Sequence, residues 1–257
     1  MNYPYIRQGD KLPVVGVLQK LLNVYGSSLS VDGDFGQLTH QAVIAYQRRQ
    51  GLFPDGRVGQ QTWSSMTAGF RLPIIDCIDV WDDALYGHEV GDIRRTGANP
   101  ILIGGMSNGV EQAVEEIINA ANGRNVFLLR FHGHGSSGVA GVSDGEGEVG
   151  GGHRTYIDLD TYATMGPILE PLRDIFGPYG SVQFMHCSTG RGESGRALLE
   201  SISDTLGVPA TAGTIDQLGG GLDTFKFEGP TYTASPHGQT LSSWSRSRPE
   251  FPAVSGI

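Results

Sequence analysis

Along the first 70 residues apolar side chains recur at helical spacing. Val14, Val17, Leu18, Leu21 and Leu22 form one stripe, and Ala42, Val43, Tyr46 and Gln47 fall on one face of a helix expected over Thr39 to Gln50. Asp32-Gly33-Asp34-Phe35-Gly36 returns 23 positions later as Asp55-Gly56-Arg57-Val58-Gly59, and each copy is followed by a threonine (Thr39, Thr62) and a helical pattern. Glycine supplies positive φ and aspartate bonds its own backbone, so each copy reads as a tight turn. The expectation is a small three-helix unit with two shaped turns.

From residue 74 the pattern changes to alternating strands and helices. Strands are expected at Ile74 to Val80, Asn125 to Phe131, Ser181 to Met185 and Val208 to Thr214. Helices are expected at Val110 to Ala121, after a turn at Gly105 to Gly109, at Thr161 to Phe176 with a break near Gly166-Pro167, and at Gly192 to Gly207. The glycine-rich stretch Gly138 to Gly152 reads as a hairpin or loop. Thr224 to Gly229 with Thr231 to Ala234 reads as an antiparallel edge hairpin. Such alternation predicts an α/β fold, a mostly parallel sheet covered by helices on both faces.

Composition sharpens this division. Residues 1–70 carry six basic and four acidic side chains, whereas the remainder carries 12 basic and 23 acidic ones. With Ala68-Gly69-Phe70-Arg71-Leu72-Pro73 as a short junction, two units are expected, at 1–69 and 74–257. The net charge of −9 argues against a nucleic-acid partner. No stretch reads as a membrane span, and residues 1–7 do not read as a secretory signal. The expected location is the cell envelope or exterior after signal-independent export, with the cytoplasm before it. Cys77 and Cys187 do not make a disulfide framework and are expected as reduced thiols.

Two apolar runs end at reactive side chains. Val126 to Phe131 leads into His132-Gly133-His134-Gly135, and Ser181 to Met185 leads into His186-Cys187-Ser188. Parallel neighbouring strands would bring imidazole and thiol to one sheet edge, where ligands of such sheets bind. There a histidine can draw the proton from a cysteine and create a nucleophile. The polar, glycine-rich sequence after Cys187 places it at a surface edge rather than in a core. His186, on the other side of the strand, reads as a packing residue. A zinc site from His132, His134 and His153 or Cys187 lacks a second cysteine and a His-Glu-x-x-His helix, so no metal or cofactor is expected.

The N-terminal string, with Leu18-Gln19, Leu22, Asp32-Gly33-x-Phe35-Gly36-x-x-Thr39-x-x-Ala42-Val43-x-x-Tyr46-Gln47 and Gly51-Leu52-x-x-Asp55-Gly56-x-Val58-Gly59-x-x-Thr62-Trp63, resembles bacterial peptidoglycan-binding domains. The resemblance implies a non-catalytic module that docks on cell-wall glycan or stem peptide. Phe35, Tyr46 and Trp63 are expected in its core rather than at a ligand.

The C-terminal unit resembles the caspase-like cysteine peptidases in its apolar strand running into Gly133-His134-Gly135, its second strand running into Cys187, and its His-before-Cys order over 53 residues. The resemblance implies Cys187 as nucleophile and His134 as base, with the backbone N–H groups of Gly135 and Cys187 as oxyanion hole. His132 is the alternative base, since along an extended strand it would share a face with His134. Arg191 is a candidate for a substrate carboxylate. Asp144, Glu146, Asp216 and Asp223 are candidates to border the cleft and read a basic side chain.

The function expected is a wall-directed cysteine peptidase or amide hydrolase acting on a protein or on stem peptide. Removal of the N-terminal unit is a conceivable activating step. The alternative enzyme is an L,D-transpeptidase, although the Ser-His-Gly-Cys-x-Arg string of those enzymes is absent. The alternative outside catalysis is an inert wall-binding scaffold.

Overall fold

The computed structural model describes residues 2–80, 86–104, 109–142 and 155–252. The chain opens with three helices, α1 (Pro13–Val24), α2 (Gln37–Arg49) and α3 (Gln60–Met66). Pro13 starts α1, where a missing N–H removes no helical bond. The expected stripe is buried together with Val43, Tyr46 and Trp63.

The internal repeat has a physical basis: each Asp-Gly turn is clamped by one buried glutamine. Gln19 Oε1 accepts the N–H groups of Asp32 and Gly33 at 2.9 and 3.0 Å. Its Nε2 donates to Asp32 Oδ1, Asp34 O and Thr39 Oγ1 at 2.7, 3.0 and 3.2 Å. Gln47 repeats the arrangement, accepting from Gly56 N–H at 2.9 Å and donating to Asp55 Oδ1, Arg57 O and Thr62 Oγ1 at 3.1, 2.7 and 3.2 Å.

The remainder runs β1 (Ile74–Asp79), a π-helical turn (Tyr86–Val90), α4 (Gly91–Arg95), β2 (Ile101–Ile103), α5 (Val110–Ala121) and β3 (Val126–His132). Next come β4 (Gly135–Ser136), β5 (Val139–Gly141), β6 (Tyr156–Asp158), α6 (Tyr162–Leu169) and a 3-10 stretch (Glu170–Ile175). The chain continues with β7 (Phe176–Met185), α7 (Gly192–Leu206), β8 (Ala210–Gly213), a 3-10 turn (Gly221–Phe225), β9 (Thr231–Ala234) and α8 (Leu241–Ser247). Among the described residues the main sheet has the order β2-β1-β3-β7-β8-β9, parallel except for β9. A small antiparallel sheet, β4-β5-β6, stands beside it.

Helices cover both faces, as expected, but the two covers differ in origin. On one face Ile75, Leu129, Phe131, Val182 and Phe184 pack against α5, α6 and α7. On the other, Phe127, Leu128 and Met185 share a single apolar cluster with Leu18, Tyr46, Trp63 and Met66 of the N-terminal helices. A register irregularity between Val126 and Leu128 accompanies the presence of both Phe127 and Leu128 in that second cluster. The Trp63 and Phe127 rings lie 6.3 Å apart. Helix α8 and the following segment strap this layer: Ser245 packs against Gly16, Leu241 against Gly33, and buried Lys20 pairs with Glu250.

Three local expectations are corrected. The break near Gly166-Pro167 falls later: α6 absorbs Pro167 and gives way to 3-10 geometry at Glu170, beside Pro171. Thr224 to Gly229 does not pair as a strand, because Phe225 and Phe227 are buried against other apolar clusters; only Thr231–Ala234 joins the sheet, antiparallel to β8. His132 and His134 do not share a face, because the strand ends at His132 and the chain turns at Gly133. A Cβ on Gly133 would stand 2.8 Å from Gly141 O. The expected turn at Gly105 to Gly109 lies mostly outside the described residues.

Candidate active site

Strands β3 and β7 are adjacent and parallel, with Phe131 opposite Phe184 and His132 opposite Met185. Their carboxyl ends are therefore level, and Gly133-His134 leaves the sheet beside His186-Cys187. A cavity of about 290 Å³ opens there, lined by His88, Glu89, Gly133, His134, Met185 and Cys187 and by residues 217–220. His134 is exposed and Cys187 half-buried. Thiol and imidazole thus face one space.

The loop after β8 holds the thiol. Cys187 Sγ donates to Gln217 O at 3.2 Å and accepts from Gln217 N–H at 3.3 Å. Glu228 Oε1 accepts the N–H groups of Leu218 and Gly219 at 2.5 and 2.9 Å. Ser188 sits in the left-handed region at φ 54°, a cost borne by a non-glycine residue. It is fixed there by its N–H on Ile215 O (3.0 Å) and its hydroxyl on Asp216 Oδ1 (2.5 Å). Gly135 lies tight against this turn: a Cβ there would stand 2.5 Å from Thr189 Oγ1 and 2.8 Å from His186 Cβ.

His186 is buried, and burial pulls it down to about 4. It is neutral at physiological pH, and its Nε2–H donates to Gly141 O at 2.7 Å. Cys77 is wholly buried, and burial pushes its thiol up.

His132, the alternative base, stands elsewhere. It is 1% exposed and pinned between two carboxylates: Nε2 lies 3.0 Å from Asp76 Oδ1, and Nδ1 lies 3.3 Å from Glu89 Oε2. Burial opposes its charge, but Glu89 and then Asp76 outweigh it and hold His132 up at about 9. An imidazolium so placed has no free nitrogen with which to take a thiol proton. Asp76 also accepts from Arg130 Nε at 2.6 Å, and that guanidinium, with His132, keeps its carboxyl well below the usual range despite burial. Arg130 Nη2 donates to Asn2 O at 2.7 Å, and the Asn2 amide donates to Asp76.

The remaining acidic and basic candidates among the described residues, Asp216, Asp223 and Arg191, do not line the cavity. Asp216 receives Ser188, and exposed Arg191 donates from Nε to Thr214 O at 3.0 Å. Asp223 pairs with Lys226. Asp144, Glu146 and His153 lie outside the described residues. Among the described residues no group of three His, Cys, Asp or Glu side chains is placed to hold a metal ion. His88, Glu89 and Gln217 were not anticipated from sequence. Their one signal is position, because loops following β1 and β8 sit at the sheet edge where ligands bind.

Residues 12–66 match the family described as putative peptidoglycan binding domain. Solved structures with similar segments include a peptidoglycan-binding protein from Clostridioides difficile in complex with glutamine hydroxamate (32% identity over 25% of this chain and 41% of that one, TM-score 0.25). Another is an L,D-transpeptidase from Xylanimonas cellulosilytica (36% identity, 29% and 41%, TM-score 0.25). A third is a Burkholderia AP3 phage endolysin (33% identity, 35% and 33%, TM-score 0.25). The chain spans less than half the length of each. No helix among the described residues is long and apolar enough to cross a membrane. What the comparisons identify is one module: the N-terminal helical unit carries the peptidoglycan-binding pattern.

Proposed function

We propose that the protein is a cell-wall-directed cysteine hydrolase that cleaves amide bonds in a protein or in stem peptide. Cys187 is the nucleophile and His134 the general base. The observation that carries this reading is that both side chains line one cavity at the carboxyl ends of adjacent parallel strands. His134 takes the thiol proton as sulfur bonds to the carbonyl carbon. Collapse of the tetrahedral adduct breaks the C–N bond, and the same imidazole gives its proton to the leaving amine. Water, deprotonated in turn by His134, releases the acid and restores the thiol. The Gly135 N–H, beside the Cys187 turn, is the proposed oxyanion donor together with that of Cys187. The peptidoglycan-binding pattern of residues 12–66 supports delivery to the wall.

Wild-type and Cys187→Ala protein incubated with purified wall fragments and with a peptide library, then analysed by mass spectrometry, test the reading. New amine and carboxyl termini should appear with wild type alone. Equal product with both proteins removes Cys187 from the chemistry.

One observation favours the scaffold reading: both hydrogen-bonding directions of the Cys187 thiol are occupied by Gln217. A binder without turnover would retain wall fragments and release no product.

A further inference from the structure

The cavity wall contains a buried carboxylate that the proposed chemistry does not use. Glu89 lines the same cavity as Cys187 and His134, yet it is 3% exposed, and among the described residues its Oε2 has no hydrogen-bond partner. It pairs with the His132 ring, at 3.3 Å from Nδ1 to Oε2, an ion pair without hydrogen-bond geometry. Behind it, Asp76 lies 3.0 Å from the other His132 nitrogen and is itself held by Arg130 and the Asn2 amide. Two carboxylates and two cations are thus stacked from the N-terminal segment to the cavity, with buried Asp79 as a further acidic neighbour beside Gly133. A buried charge stripped of its partner is strongly disfavoured, so each member depends on the others.

We propose that Glu89 and His132 are positioning residues that set the charge facing the Cys187 thiol, each cancelling the other's charge on that wall of the cavity. This rests on Cys187 being the working thiol. His132 acts through Glu89 and touches no reacting atom. With Glu89 alone the wall is anionic and disfavours a thiolate and any anion entering the cavity. With His132 alone, kept protonated by Asp76 at mildly acid pH where the labelling is run, it is cationic and favours both.

Alkylation of Cys187 in the full-length chain, followed on its own peptide by mass spectrometry, reads this charge when neutral iodoacetamide is compared with anionic iodoacetate. The ratio of iodoacetate to iodoacetamide rates should fall at least about three-fold in His132→Gln and rise by a similar factor in Glu89→Gln. It should return to the wild-type value in the double variant. A purely structural role would move both reagents together and leave the ratio unchanged. An unchanged ratio in both single variants, or shifts of the same sign, overturns the inference. Should His132→Gln fail to fold, Glu89→Gln decides alone, since it keeps the volume and removes one charge. Failure of the hydrolase reading looks different: Cys187 would label no faster than Cys77 and be indifferent to His134→Ala, while the ratio test would still report the charge of the wall.

Discussion

Cys77 and Cys187 carry the same side chain in opposite surroundings. Cys77 is sealed in the core, where burial disfavours its thiolate; Cys187 is half-exposed at a cavity with an imidazole on its rim. Near neutral pH, iodoacetamide should modify Cys187 far faster than Cys77, and His134→Ala should slow that reaction, as peptide mapping would show. The other two histidines of these motifs predict a pH dependence of stability. His132 holds its proton more tightly folded than unfolded, so its contribution is complete below about 6.5 and disappears as pH rises through about 9. His186 is shifted the opposite way, so its contribution is present above about 6.5 and is lost as pH falls through about 4. Each limb amounts to about 3 kcal/mol. Thermal unfolding midpoints should therefore peak near pH 6.5 and decline on both sides. His132→Gln should flatten the alkaline limb, and His186→Gln the acid one.

At the scale of elements, the two glutamine clamps account for the repeat better than its glycines do. Each glutamine closes one loop onto the helix that bears it and satisfies donors and acceptors that the turn leaves open. Gln19→Ala or Gln47→Ala leaves backbone groups of a buried turn unpaired and should cost about 1–3 kcal/mol by urea denaturation. Gln47→Glu should fail to rescue, since a carboxylate cannot donate to Asp55, Arg57 and Thr62. The hairpin β4-β5 makes a different demand. Gly135→Ala would press a methyl group on Thr189, His186 and Val139 O, moving the hairpin from the Cys187 turn. The expected result is loss of Cys187 reactivity together with a lower unfolding midpoint, since Val139 O and the buried His186 cannot easily yield. A variant that reacts like wild type would show that the close approach is not needed.

For the whole molecule, the second face of the sheet is covered from two sources: Ile78 packs against Val90, Ile93 and Phe225 of its own unit, and the strands beside it pack against the N-terminal helices. Phe127, Leu128 and Met185 are buried by the N-terminal helices, and Asn2 closes the charged cluster of Asp76 and Arg130. Deleting residues 2–72 would expose that apolar face and strand buried charges. The truncated chain should lose its cooperative unfolding transition and bind a hydrophobic dye, whereas an independently folded remainder would unfold sharply. Removal of the N-terminal unit as an activating step is thereby put to the same test. The C-terminal strap gives a milder probe, since Glu250→Gln leaves buried Lys20 without its counter-charge and should lower the midpoint.

Periodicity and turn chemistry were enough to place the N-terminal helices, the parallel strands other than the short β2, and the His134 and Cys187 motifs at strand ends, because those features depend on neighbours a few residues away. The same local reasoning misjudged His132, whose environment is made by Asp76 and Glu89, 56 and 43 positions earlier in the chain. It also read Phe225 and Phe227 as a strand, although distant apolar clusters bury them. Gln217 and Glu89 enter the cavity through loops that only the strand order brings together. Local pattern determined most of the elements that form and which end of the sheet bears the His134 and Cys187 motifs. The fold alone decided which face each histidine meets and that the N-terminal helices serve as the sheet's second layer. Burial and charge pairing depend on contacts between segments remote in sequence, and no period along the chain encodes them.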